Sequence, residues 1–148
     1  MLPKKTKYAI KALILLAKQY KENRPSRISK IAEEEKIPRK FLEAIMVELR
    51  NEGIVASKMG TTGGYYLIKH PEEVMLSTII RSTGGPIALL PCVSLNFYER
   101  CDECKHEETC GLRDVVLEVR EASIKILSKT SLADIIKRES KLEKKHKL

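Results

Sequence analysis

The sequence predicts a mainly α fold: a winged helix-turn-helix with a two-stranded wing, followed by a long C-terminal dimerisation helix. Three observations predict it. Apolar residues recur at helical spacing in three segments ahead of Gly53. The period then switches to that of two short strands around a glycine-rich turn. A long one-sided apolar stripe fills residues 110–129.

The first helix is predicted over 5–22, where Ala9, Ile10, Leu13, Leu16, Ala17 and Tyr20 form a stripe opposite the lysines. Asn23-Arg24-Pro25-Ser26 stops it. A short helix follows over 27–35, with Ile28, Ile31 and Ala32 inward. Pro38 is expected in the first turn of the third helix, where its missing N–H costs nothing. Phe41, Leu42, Ile45, Met46 and Leu49 are its predicted buried face, and Gly53 its left-handed cap. Two helices joined by so short a turn make a helix-turn-helix. Residues 54–58 and 65–68 read as strands around Met59-Gly60-Thr61-Thr62-Gly63-Gly64, the wing. A further helix is expected from His70-Pro71 to Ser82, ended by Gly84-Gly85-Pro86. Residues 86–109 read as irregular, long enough to be functional or ordered by something bound. The long helix (110–129) carries Leu112, Val115, Val116, Val119, Ala122, Ile126 and Leu127, and Thr130-Ser131 caps a last short helix over 132–138. So long a stripe on so small a chain implies helix-to-helix dimerisation.

Composition narrows the function. With 43% hydrophobic and 32% charged residues the chain is globular, and with no Trp its core must be mainly aliphatic. A net charge of +8 favours a polyanion, nucleic acid before membrane. Part of that excess is local, with six Lys/Arg against two Glu between Lys137 and Lys147, read as a solvated terminus or a phosphate-binding tail. The apolar run Ala12 to Ala17 is bracketed by lysines and far short of a membrane span, so a cytoplasmic protein without a membrane partner is expected.

The recognition helix should present Arg39, Lys40 and Glu43 to the major groove, against the plainer reading of ordinary surface charges. Lys58, Thr61 and Thr62 of the wing can reach phosphate, its glycines allowing close approach. Ser29, Pro38, Gly63 and Tyr65 complete the expected DNA-binding set. All four cysteines fall at Cys92, Cys101, Cys104 and Cys110. In a reducing compartment such clustering points to metal, cluster or redox chemistry rather than structural disulfides. Thiolates suit an iron–sulfur cluster, zinc, or a metal-free switchable disulfide. His106 lies within the segment as another possible ligand. Cys110, at the start of the long helix, would have its thiolate favoured by the helix dipole. No phosphate loop follows a strand and no paired carboxylates mark a pocket, so an enzyme is not expected. A thiol oxidoreductase using Cys101 and Cys104 is disfavoured because its βαβ setting is missing.

Over about residues 6–137 the chain resembles the Rrf-two family of bacterial winged-helix regulators, with its IscR-, NsrR- and CymR-like members. The likeness rests on Tyr8-Ala9-Ile10-Lys11-Ala12-Leu13, Ile37-Pro38-Arg39-Lys40-Phe41-Leu42-Glu43 and Gly63-Gly64-Tyr65. It continues in Cys104-x5-Cys110 followed by Leu112-Arg113, and in Ser131-Leu132-Ala133-Asp134-Ile135. The resemblance implies a homodimer crossing through the long helix on a two-fold DNA operator. It also implies an iron–sulfur cluster, 2Fe–2S favoured over 4Fe–4S, whose state changes DNA affinity. Cys92, Cys104 and Cys110 match the family's cluster cysteines; Pro38, Lys40 and Glu43 match its DNA-contacting positions. Four positions depart from the pattern. The extra thiol Cys101 separates the first two cluster cysteines. Arg113 stands where the fourth-ligand histidine occurs, and Lys7 where some relatives supply an acidic ligand. Met59 replaces the wing arginine. Cys101 is the simplest fourth ligand, with His106 the other. The expected organisation is a winged-helix domain (1–83), a cysteine-rich sensor loop (84–109), dimerisation helices (110–138) and a basic tail (139–148).

Overall fold

A computed structural model describes residues 2–148. Six α-helices and one two-stranded sheet follow in the order α1 (Lys4–Lys18), α2 (Ile28–Glu35), α3 (Arg39–Asn51), β1 (Val55–Lys58), β2 (Gly64–Leu67), α4 (Leu76–Gly84), α5 (Gly111–Leu127), α6 (Leu132–His146). Short 3-10 turns occur at Tyr20–Glu22, Pro91–Val93 and Glu107–Thr109.

The main core forms where α1, α2, α3 and α4 pack their apolar faces, and it is aliphatic as the composition requires. Ala9, Leu13, Leu16, Ile31, Leu42, Ile45, Met46, Leu49, Ile79 and Leu132 are all buried in it. Phe41 departs from its expected buried place. It is 40% exposed at the edge of the core, with its ring set edge-on against Tyr8 at 5.7 Å. The α3 spacing that buries Leu42, Ile45 and Leu49 turns Phe41 about a quarter-turn away. Pro38 sits one position before the helix, as its N-cap residue, and Gly53 takes φ +68° just beyond it. The left-handed conformation ends the helix and delivers the chain into β1.

β1 and β2 pair antiparallel, Val55 opposite Leu67 and Lys58 opposite Gly64. The hairpin is also stitched to the segment entering α2. Ser26 N–H donates to Tyr65 O and Tyr65 N–H to Ser26 O, both at 2.8 Å. Gly64 makes this possible: at φ +148° a Cβ there would run into the Ser26 carbonyl.

Three helix boundaries differ from expectation, the first being α1, expected to reach residue 22 but ending at Lys18 ahead of the Tyr20–Glu22 3-10 turn. The helix expected from His70 begins only at Leu76, because the backbone before it is recruited by the chain entering α6. Leu76 N–H donates to Thr130 O at 2.9 Å, Leu132 N–H to Val74 O at 3.0 Å, and Ala133 N–H to Pro71 O at 3.2 Å. α6, expected to stop near residue 138, runs to His146. It begins with a capping box in which Ser131 and Asp134 satisfy each other's backbone N–H groups. Lys18 of α1 holds it further along through Glu139, at 2.8 Å.

Candidate DNA interface and cysteine loop

The outer face of α3, the start of α2 and the wing enclose one open groove. Arg27, Ser29, Arg39, Arg50, Lys58 and Tyr65 all line it. Four cations from three stretches of chain, the entry to α2, α3 and β1, therefore face a single cleft. The strand pairing places Lys58 opposite Gly64, and the Ser26–Tyr65 bridge swings the hairpin over α2. Arg39 is bonded at 3.1 Å to Glu43 one turn on, so these two exposed side chains form a pair on the helix surface. Pro38 and Lys40 are exposed on the same end of α3.

At the wing tip, Met59 is 91% exposed. Thr61 and Thr62 are exposed beside it, and Gly63 is buried in a tight turn, its N–H donating to Gly60 O at 3.1 Å. The Arg27 guanidinium donates to the Thr61 carbonyl. Arg27 and Arg50 escaped the sequence reading. Arg27 precedes α2 and Arg50 closes α3, and only the fold-back of the hairpin brings them to the groove. The available signal was charge alone, which surface arginines share.

The cysteine segment divides in two. Cys92 is buried with Val93 and Val116, and Arg120 of α5 pins this end by donating to Val93 O at 2.6 Å. The other three thiols lie at the far end. Cys104 N–H donates to Cys101 O at 3.2 Å, making a turn that brings Cys104 beside Cys110. Partial burial, and then electrostatic repulsion from the neighbouring Cys110, push the Cys104 thiol up from its ordinary value. The Cys110 sulfur also caps α5, accepting from Arg113 N–H at 3.4 Å. Tyr98 donates to the Glu107 carboxylate at 2.8 Å, and that bond raises the phenol's pKa. His106 is exposed.

As donors, these thiols fit an iron–sulfur cluster: they are soft, and Cys101, Cys104 and Cys110 share one end of the loop. The Nε of Arg113, three residues beyond Cys110, is buried without a hydrogen-bond partner among the described residues, leaving a donor for an anionic group. Cys92 stands apart in its apolar setting. Among the described residues no three His, Cys, Asp or Glu side chains converge as a ready metal site.

A family model described as an iron-dependent transcriptional regulator, Rrf2, matches residues 2–138. The chain belongs to the Rrf2 family. It is similar to an rrf2-like HTH-type transcriptional regulator of Rhodobacter capsulatus, at 40% identity over 92% of each chain. It is 30% identical to the HTH-type transcriptional regulator CymR of Bacillus subtilis, over 88% of this chain and 86% of CymR. Among solved structures, CymR, the global cysteine regulator of B. subtilis, superposes with TM-score 0.75 and 28% identity, covering 91% of this chain and 95% of that one. The IscR of T. potens gives TM-score 0.73 and 25% identity, over 94% and 88%. The protein is thus a DNA-binding transcriptional regulator of the Rrf2 family with the winged-helix fold, and not an enzyme. None of its described helices is long and apolar enough to cross a membrane.

Proposed function

We propose that this Rrf2-family chain is a cytoplasmic homodimer whose operator binding is controlled by an iron–sulfur cluster held by residues 84–109 and the start of α5. The groove walled by Arg27, Arg39, Arg50 and Lys58 is the observation that carries the DNA-binding mode. Duplex DNA carries one negative charge per ~1.7 Å of axis, and a cleft of cations from several elements neutralises neighbouring phosphates at once. In this reading Pro38, Lys40 and Glu43 approach base edges in the major groove. Ser29, Lys58, Thr61, Thr62, Gly63 and Tyr65 hold the backbone from both sides. Residues 1–83 bind DNA, 110–138 dimerise, and the basic stretch 139–148 adds charge.

Cys92, Cys104 and Cys110 are the proposed ligands, with Cys101 the fourth and His106 the other choice; Cys92, packed apart with Val93 and Val116, would have to move to join the other thiols. A bound cluster, of 2Fe–2S type, supplies an iron centre sensitive to redox state or small ligands. Cys110 gives the chain a way to respond. Its sulfur caps α5, so engaging that sulfur bears on the first turn of the long helix. On α5, Leu112, Val115, Val119 and Ile126 are exposed along one face. Such a stripe is suited to a second copy of the chain, and this supports the dimer.

A second reading rests on the nearness of the free Cys104 and Cys110 thiols: a cluster-free regulator that closes a disulfide between them. A structure of Staphylococcus aureus CymR in an oxidised form superposes at TM-score 0.71 and 26% identity. Anaerobic purification separates the readings. The cluster predicts brown protein with iron and acid-labile sulfide in comparable amounts, and operator affinity that changes when the cluster is removed. Colourless protein whose affinity changes on oxidation, and no longer does so as Cys104→Ser, establishes the thiol switch. Stoichiometric zinc gives the site to a structural metal.

A further inference from the structure

The groove places Arg27 between two kinds of partner, the wing tip of its own chain and a DNA phosphate. Three contacts tie the wing to the stretch before α2. Ser26 and Tyr65 exchange backbone hydrogen bonds, Gly64 lies too close to the Ser26 backbone to carry a side chain, and Arg27 donates to the Thr61 carbonyl. The first two fix the base of the hairpin. Beyond them, residues 59–63 carry no strand pairing, and the side chain of Arg27 reaches this tip from the body of the helix-turn-helix.

We propose that Arg27 is a positioning residue for DNA binding, a latch that fixes the wing tip relative to α3 by holding the Thr61 carbonyl. This rests on DNA binding through α3 and the wing, and adds how the two are kept in register. Lys58 and Met59 flank the groove on the wing side, and Arg39 and Arg50 on the helix side. The distance between these walls decides whether one phosphate backbone can be held from both. A hairpin tip free to swing must be ordered when DNA binds, and the latch removes that entropic cost beforehand. Arg suits this role because its long side chain ends in a rigid planar fork of donors that can reach and hold the Thr61 carbonyl.

The latch requires that Arg27 act through the wing tip, which a double-mutant cycle tests. The second change replaces residues 59–63 by Asn-Gly, a two-residue hairpin turn that joins the paired Lys58 and Gly64 and deletes the Thr61 carbonyl. Binding is measured by fluorescence anisotropy across a salt series, on a duplex selected by the wild-type chain from a random-sequence library. Melting curves show that each variant is folded. With the full wing, Arg27→Ala should weaken binding roughly tenfold, as expected for losing one hydrogen bond from a charged donor. Arg27→Lys, which keeps the charge without the fork, should weaken it too. In the short-wing background Arg27→Ala should change affinity less than about twofold. Within each background Arg27→Ala should leave the log–log salt slope unchanged, moving it by far less than the ~0.9 that one phosphate contributes. Equal weakening in both backgrounds with a slope shallower by ~0.9 overturns the latch and makes Arg27 a direct phosphate contact. Full affinity in Arg27→Ala or Arg27→Lys with the natural wing also overturns it. Lys40→Ala, read separately, reports on the recognition helix: unchanged affinity there counts against the DNA-binding mode and leaves the cycle interpretable.

Discussion

Asp134 shows how one side chain can decide where a helix starts. It accepts from the Ser131 N–H at 3.0 Å and the Ser131 hydroxyl at 2.9 Å, while the Ser131 hydroxyl oxygen accepts from the Asp134 N–H at 3.2 Å. The backbone bond first, then the hydroxyl, hold the Asp134 carboxyl below its ordinary value. A carboxylate whose pKa is lowered by folding stabilises the fold at pH above its unfolded value, near 3.9, and loses that contribution as pH falls through the folded value. Stability measured by denaturant unfolding should therefore fall less steeply in Asp134→Asn than in the wild type as pH drops through the carboxylate range, the difference being the share of this one carboxylate. Ser131→Ala should lower stability by about 1 kcal/mol in denaturant unfolding, the usual cost of a lost N-cap. Both residues could be read from sequence, since a Ser followed three positions later by an acidic residue ahead of apolar periodicity marks a helix start. Arg27 and Arg50 could not. Their role in the groove comes from the hairpin lying over α2 and α3, a long-range arrangement without a local signature.

Among the elements, those fixed by local pattern matched their expectation: α2, α3, the wing and α5 lie within one or two residues of their predicted spans. The two that differed most are set by contacts across the chain. α4 starts late because Val74 and Leu76 pair with the backbone at Thr130 and Leu132, and α6 extends along α1 beside Lys18. Periodicity reports which face is apolar, and not what competes for the backbone at the ends. α5 is the element whose sequence and packing most disagree for a lone chain. Leu112 and Ile126 are 64% and 63% exposed at opposite ends of its stripe, while Val116 alone is buried. Placing a charge in the centre of that stripe, Val115→Lys, should convert a dimer to a monomer in light scattering and abolish tight operator binding. A dimer that survives the change shows that the stripe is not the interface.

For the whole molecule, charge is the property that sets how it meets DNA. Within the net charge of +8, Arg27, Arg39, Arg50 and Lys58 face the groove, and Lys144, Lys145 and His146 occupy the last turn of α6. If a dimer engages roughly six phosphates, the log–log slope of affinity against salt should be about −5. Deleting residues 139–148 should make that slope shallower if the tail touches the backbone, and leave it unchanged if the tail is only solvated. Sequence composition gave the sign of this field, and the fold gave its distribution.

The return of the chain at Ser131 has a further consequence. The polypeptide leaves the DNA-binding core after α4, runs through the cysteine segment and α5, and comes back to pair beside Met75 before lying along α1. The excursion is thus fastened at both ends by non-covalent contacts. A protease cutting once among the exposed residues 95–103 should yield two fragments on a denaturing gel and a single particle of unchanged size by gel filtration. Covalent continuity through the segment is then dispensable for holding the fold together, so residues other than Cys101 can be inserted, lost or exchanged there with little effect on how the helices that meet DNA are packed.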